Sequence, residues 1–276
     1  MKRNLFNTVL KTQIEQMRRN TRKLAAGYNQ DAVHDLRVAA LKVDFALKFF
    51  GQTADAGKIK RLKGRIKKIR RLLGAARNLD ILSSRTNKDL KKLPLTVPEI
   101  EDINTWVESL KHSSQRALSR MLESAGYKGL LDELQGCIGK FVTPNTHFIV
   151  QNPFKQTLER VLKYRKKPPH ARNLHKIRIA FKKARYACEF LKDIHRTRMR
   201  RALKFIVGFQ GLLGNRQDSI AVIEILSGSG RSWAQKLIKI EKTNIKKKQK
   251  NFRKRWEKDF LGPSPVTELY CWSSWH

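Results

Sequence analysis

The sequence predicts an all-α protein made of two similar helical bundles, and three observations lead there. Apolar residues recur at three- and four-residue steps through most of the chain, which is helical spacing, and no alternating run is long enough for a strand. Glycine and proline are sparse, 15 and 8 of 276 residues, and fall between those periodic stretches. The chain also repeats itself. His34-Asp-Leu-Arg37 recurs 141 residues later as His175-Lys-Ile-Arg178, and Leu72-Leu-Gly74 recurs 140 residues later as Leu212-Leu-Gly214. Two motifs that keep nearly one offset imply a duplicated helical unit.

Taken in order, the periodic stretches place helices over roughly 4–26, 31–50, 57–73, 78–92, 98–123, 128–141, 153–166, 171–195, 197–213, 217–227 and 231–258. Gly51, Pro94, Pro98, the stretch 144–153, Pro168-Pro169 and Ser227-Gly-Ser-Gly230 mark breaks. Gly74 and Gly214 read as helix C-caps. Asp80 and Asp218 follow them and read as residues near the next helix start, capping or ion-pairing. The domain reading is a first bundle over 1–148, a second over 149–260 and a loose tail over 261–276, the split lying within 143–153. Trp272 and Trp275 sit in that tail.

Composition narrows the function. Sixty Lys and Arg against 23 Asp and Glu give a formal charge of +37, and such self-repulsion is relieved by a polyanionic partner. An apolar content of 40% is enough for substantial cores, which excludes a disordered basic tail. Cys137, Cys188 and Cys271 form no C-x-x-C pair, which fits a reducing compartment. No leader-like apolar segment opens the chain and no run reaches membrane-spanning length, so a soluble cytoplasmic protein is expected.

The chemistry concentrates on a stripe. Leu174, Ile177, Phe181, Ala184, Cys188 and Leu191 form one apolar face of a helix. One position along, His175, Arg178, Lys182 and Arg185 form a parallel basic row, with Ile179, Tyr186 and Phe190 on its far side. A solvated charge row should lie opposite the apolar face, as Lys176 and Lys183 do. A row between two apolar flanks points toward a groove between helices, where cations need counter-charge. In the first half Val33, Leu36, Ala40, Val43, Leu47 and Phe50 repeat the face, and Val38, Phe45 and Phe49 the flank. The row between them reads His34, Arg37, Leu41, Asp44, Lys48. Next along the chain, Ile59, Leu62, Ile66 and Ile69 face inward while Lys60, Lys63, Lys67 and Arg70 run beside them; here a solvated basic face and a ligand-facing role compete evenly. Arginine offers a planar fork to phosphate oxygens, lysine a mobile charge, and histidine a proton that crowding anions favour. Helical spacing repeats such groups about every 5–6 Å, which suits a linear polyanion.

At these residues the chain resembles the CHAD family of histidine-containing helical domains. The resemblance rests on His34-Asp-Leu-Arg37-Val38 with Lys42, Lys48 and Phe50, and on Leu174-His175-Lys-Ile-Arg178 with Lys182, Lys183, Arg185, Tyr186, Glu189 and Phe190. It rests also on Leu73-Gly-Ala-Ala-Arg77-Asn-Leu-Asp80, where Asn78 replaces an acid, and it spans roughly residues 5–260. The resemblance implies two four-helix bundles related by a pseudo-twofold, a basic central groove or channel, and non-catalytic binding of inorganic polyphosphate. It further implies polyphosphate granules as a location and a triphosphate-hydrolysing enzyme as a possible partner. Leu41 and Asp44 stand where the pattern carries arginines, which shifts the expected surface toward the second half.

The expected binding set is therefore His34, Arg37, Lys42 and Lys48; Lys60, Lys63, Lys67, Arg70, Arg71 and Arg77; His175, Arg178, Lys182, Lys183, Arg185 and Tyr186; and Arg200, Arg201 and Lys204. No catalytic residue, cofactor or metal is expected. Neither His34 nor His175 has a second ligand four residues on, and no Cys/His cluster exists. Two rivals stand beside polyphosphate: a basic helical protein for nucleic acid, and a phosphohydrolase using Asp80 or Asp218. The lysine-rich run 236–258 reads as a solvated helix that could extend an anion surface.

Overall fold

In the computed structural model the described residues are 5–50, 55–91, 93–140, 149, 153–165, 169–171, 173–192 and 196–275. They carry helices and no strand. Ten helices are described: α1 Leu5–Ala26, α2 Gln30–Phe50, α3 Ala56–Leu90, α4 Val97–Glu123, α5 Ala125–Gln135, α6 Lys155–Leu162, α7 Leu174–Phe190, α8 Arg196–Ser227, α9 Ala234–Asp259 and α10 Pro265–Trp275. They fall into two compact units, Met1–Thr143 and Pro144–His276. The expected boundary near residue 148 lies outside the described residues.

Local chemistry starts several helices. Asn29 and Asp55 accept from the backbone amides of Ala32 (2.8 Å) and Lys58 (3.1 Å) ahead of α2 and α3. Thr96 and Glu99 close a capping box at α4, and Ser124 accepts from Tyr127 N at α5.

In the first unit the faces of α1 (Phe6, Leu10, Ile14, Met17), α2 (Val33, Leu36, Val43, Leu47) and α3 (Ile59, Leu62, Ile66, Ile69) are buried. Tyr127 of α5 docks on α1, its hydroxyl 2.8 Å from Thr21 Oγ1, and burial pushes that hydroxyl up to about 12. Arg61 and Arg65 of α3 both grip Glu133 of α5, each at 2.5 Å.

The second unit has an aromatic core. Phe181 of α7, Phe209 of α8, and Trp256 and Phe260 of the α9 end stack at 4.1–6.2 Å between centroids. Gly208 lets α9 approach closely: a Cβ there would stand 2.5 Å from Arg255, whose guanidinium lies 5.1 Å over the Phe209 ring. Cys188 lies in this core, and burial pushes its thiol well above its usual range.

Three expectations are corrected. The helices expected over 57–73 and 78–92 are one helix, α3, and those over 197–213 and 217–227 are one helix, α8. Gly74 and Gly214 are thus mid-helix and not caps, and Asp80 and Asp218 do not start helices. The cost of an internal glycine, about 1 kcal/mol, is outweighed because Leu73, Ala76 and Leu82, and Leu213 and Val222, keep the helices in their cores. Third, the tail is not loose. Ser264 caps α10 by accepting from Thr267 N, with Pro265 at the first helical position. Val266 and Leu269 are fully buried, and Glu268 and Tyr270 tie the helix to Arg201 and Glu159.

Candidate functional site

Each unit pairs the helix bearing the His-x-x-Arg motif with the long helix after it: α2 with α3, and α7 with α8. At one end of the first seam, the Arg77 guanidinium on α3 lies near His34 on α2 and, after burial, is the next cause holding that imidazole below its usual range. At the matching place in the second unit, His175 Nδ1 is 3.2 Å from Gln217 Oε1. Two to three turns along, Arg70 ion-pairs with Asp44. Its counterpart is Arg185 Nη1 donating to Gln210 Oε1 at 3.4 Å. Residues 34, 44, 70 and 77 map onto 175, 185, 210 and 217 with the same 140–141 offset that the sequence motifs keep. The two seams therefore share one register at two separate rungs.

Along α7 the basic row is neither sunk in a core nor fully solvated. Arg178, Lys182 and Arg185 are half-buried, while His175 is exposed; Lys183, expected on the solvated side, is half-buried as well. Burial lowers the guanidinium pKa of Arg178, and the opposing carboxylate is Asp218 on α8. Arg185 is partly neutralised by Glu189 at 2.6 Å, and Lys182 Nζ lies 5.9 Å over the Tyr186 ring. The expected second apolar flank is split: Tyr186 and Phe190 are each 6% exposed, but Ile179 is 38% exposed.

In the first unit Arg37, Lys42, Lys63, Arg70 and Arg77 are half-buried, and His34, Lys48, Lys60, Lys67 and Arg71 are exposed. Leu41, where the second unit has Lys182, is 8% exposed. Arg200 and Lys204 stand on the exposed face of α8. Arg201 turns away from them to bind Glu268 of α10 at 3.0 Å. The structure thus brings His34, Arg37 and Arg77 to one end of a seam and Arg178 and Arg185 along the other. It leaves Lys60, Lys67 and Arg71 as a solvated row on α3.

Motif reading picked out Asp80 but not its partner Tyr28, nor the role of Lys248 within the basic run 236–258. Tyr28 donates its hydroxyl to Asp80 Oδ1 at 2.8 Å, and Asp80 is 2% exposed. Burial holds the Asp80 carboxyl above its usual range, against Tyr28, Arg77 and Lys111, which pull it down. Asp80 is therefore an internal counter-charge of the Arg77 end. Lys248 of α9 donates to Asn215 O and Ser219 Oγ, each at 2.9 Å, and so fastens α9 across the middle of α8. Opposite signs at Asp44 and Arg70, once the two helices are aligned antiparallel, would have revealed that ion pair. Among the described residues no group of three or more His, Cys, Asp or Glu comes together as metal ligands would. No described helix is long and apolar enough to cross a membrane.

Two helical units that hold partly desolvated cations along matched helix seams define a class of basic α-helical protein suited to anions. Within that class the chain belongs to the CHAD domain family, whose model matches residues 8–227. The chain is similar to the CHAD domain of the plant Ricinus communis, with 20% identity, a TM-score of 0.70, and 98% of this chain and 90% of that one covered. It is also similar in fold to PptA from Streptomyces chartreusis, with 11% identity, a TM-score of 0.65 and coverage of 99% and 98%. Comparison with curated proteins finds no match.

Proposed function

We propose that this chain binds inorganic polyphosphate without turning it over, using the cationic rows of its two long-helix seams. The observation that carries the reading is the half-buried row Arg178, Lys182, Arg185. These cations are partly stripped of water yet spaced a turn apart, so a chain of phosphates meets them in series. Family membership supports the same ligand class. In this reading each unit offers its own cationic row to the polyanion, and the protein acts in the cytoplasm, on polyphosphate granules or beside a triphosphate-hydrolysing enzyme. Nucleic acid is the weaker ligand because Tyr186 and Phe190, the aromatics beside the row, are packed away and unavailable for stacking on bases.

The test is binding of long-chain polyphosphate to the full chain and to the triple variant Arg178→Glu, Lys182→Glu, Arg185→Glu. Three contacts of about 1 kcal/mol each should weaken binding roughly a hundredfold while the helical signal survives. Affinity should also fall linearly in log–log form with salt, as counterion release requires. An unchanged affinity, or a flat salt response, would contradict the reading. Release of orthophosphate with added Mg²⁺, abolished by Asp80→Asn or Asp218→Asn, would show turnover instead.

A further inference from the structure

Away from both seams, the first unit carries an open groove between the end of α1 and the second half of α4, of about 720 Å³. That volume suits a small organic molecule. Its floor is apolar, made by Leu24 of α1 with Leu118 and Leu122 of α4, all buried. One wall is the half-buried ring of Tyr28, fixed because its hydroxyl is committed to Asp80 at 2.8 Å. The hydroxyl is thereby engaged, and the ring lines the groove. Along the other edge His112, Arg116 and Arg120 follow one another a turn apart, with Ser113, Gln115 and Ser119 beside them. No acidic residue lines the groove among the described residues, and neither arginine meets a carboxylate there.

We propose that this groove binds a nucleotide, base on the Tyr28 and leucine side, phosphates on Arg116 and Arg120. An inorganic phosphate chain has no use for an apolar floor. A fatty carboxylate would present one anionic group to two guanidinium forks a turn apart. A planar ring joined to two or more phosphates uses both sides, through packing against Tyr28 and the leucines and bidentate contacts to the phosphates. The inference uses none of the cations of the polyphosphate reading and touches that site only where Tyr28 donates to Asp80.

ATP is the probe, titrated by equilibrium dialysis into the full chain saturated with long polyphosphate at about 0.15 M salt, where exposed charges are screened. If polyphosphate does not bind, the same titration is run without it, so the two readings fail separately. The expected result is a single class of ATP site, weakened roughly tenfold or more by Arg116→Glu with Arg120→Glu, since both side chains are exposed and carry no core packing. Polyphosphate affinity of that variant stays within about twofold. Ser119→Trp, which fills the groove, should also weaken ATP, and inorganic triphosphate should compete at least about tenfold less well than ATP. Absence of ATP binding, an unchanged affinity in the double variant, or triphosphate competing as well as ATP overturns the site.

Discussion

The two units use one helix register and opposite charge. At the rung where the first unit sets Asp44 against Arg70, the second sets Arg185 against Gln210, and Glu189 one turn on supplies the acid. At the other rung Arg77 beside His34 becomes Gln217 beside His175. The first unit keeps Arg37 and Lys42 half-buried on its motif helix but thins the row beyond them: Leu41 is buried, Asp44 is an acid, and Lys60, Lys67 and Arg71 stand on the solvated face of α3. The second keeps them on α7, half-buried, while the α8 positions matching Lys67 and Arg71 are Val207 and Gly211, both exposed. A duplicated scaffold thus fixes where side chains meet across a seam, and leaves open which helix carries the charge. Desolvation then separates the two rows: a half-buried cation gains more from an anion than a solvated one already satisfied by water.

That difference can be broken in several ways. The largest effect is expected from charge reversal on α7. The triple Glu variant at positions 178, 182 and 185 should cost roughly a hundredfold in polyphosphate affinity, against about tenfold for Lys60→Glu with Lys67→Glu and Arg71→Glu. Equal losses in a direct binding assay would erase the contrast. Next is a seam swap. Asp44→Arg alone sets two guanidinium groups against each other at a half-buried rung and should cost about 1–3 kcal/mol of stability, whereas adding Arg70→Gln recreates the second unit's pair and recovers most of it. Urea midpoints of the single and double variants measure this coupling; additive losses would mean the rungs are not equivalent.

Smaller effects sharpen the picture. A Cβ at Gly74 or Gly214 would meet nothing within 4 Å, so Gly74→Ala and Gly214→Ala should each stabilise by about 0.5–1 kcal/mol in thermal or urea unfolding. Finally, partial desolvation at the seam and then Arg77 hold His34 below the usual imidazole value of 6.5. Its contribution to stability is present above 6.5 and is lost as pH falls through the depressed value. A polyanion arriving at this end raises that value again, so binding should take up a fraction of a proton near neutral pH. Calorimetry in buffers of different ionisation heat detects the uptake, and His34→Gln should reduce it.

Much of this was legible in the residues. Every described member of the apolar faces assigned to α2, α3 and α7 is buried, and Cys188 lies in the core as its place on that face required. Gly74 and Gly214 misled because a glycine marks a break only where neighbouring faces allow one, and here buried apolar residues on both sides, Leu73 with Leu82 and Leu213 with Val222, hold the long helices in place. The tail misled because Gly262-Pro-Ser-Pro265 reads as irregular, although Ser264-Pro265 is a helix-start signal. Within the site, helical spacing located the cationic rows but not their counter-charges. Asp44 with Arg70 and Arg201 with Glu268 join different helices, Tyr28 joins a connecting loop to Asp80, and a periodicity along one helix carries no information about its neighbours.

The most direct test of the central claim is competition at equal charge concentration and about 0.15 M salt. Long-chain polyphosphate bound to the full protein is challenged with duplex DNA and with RNA. The account expects polyphosphate to stay bound, since its narrow, flexible chain can follow a half-buried cationic row that a duplex cannot enter. Displacement by either nucleic acid at parity would contradict it.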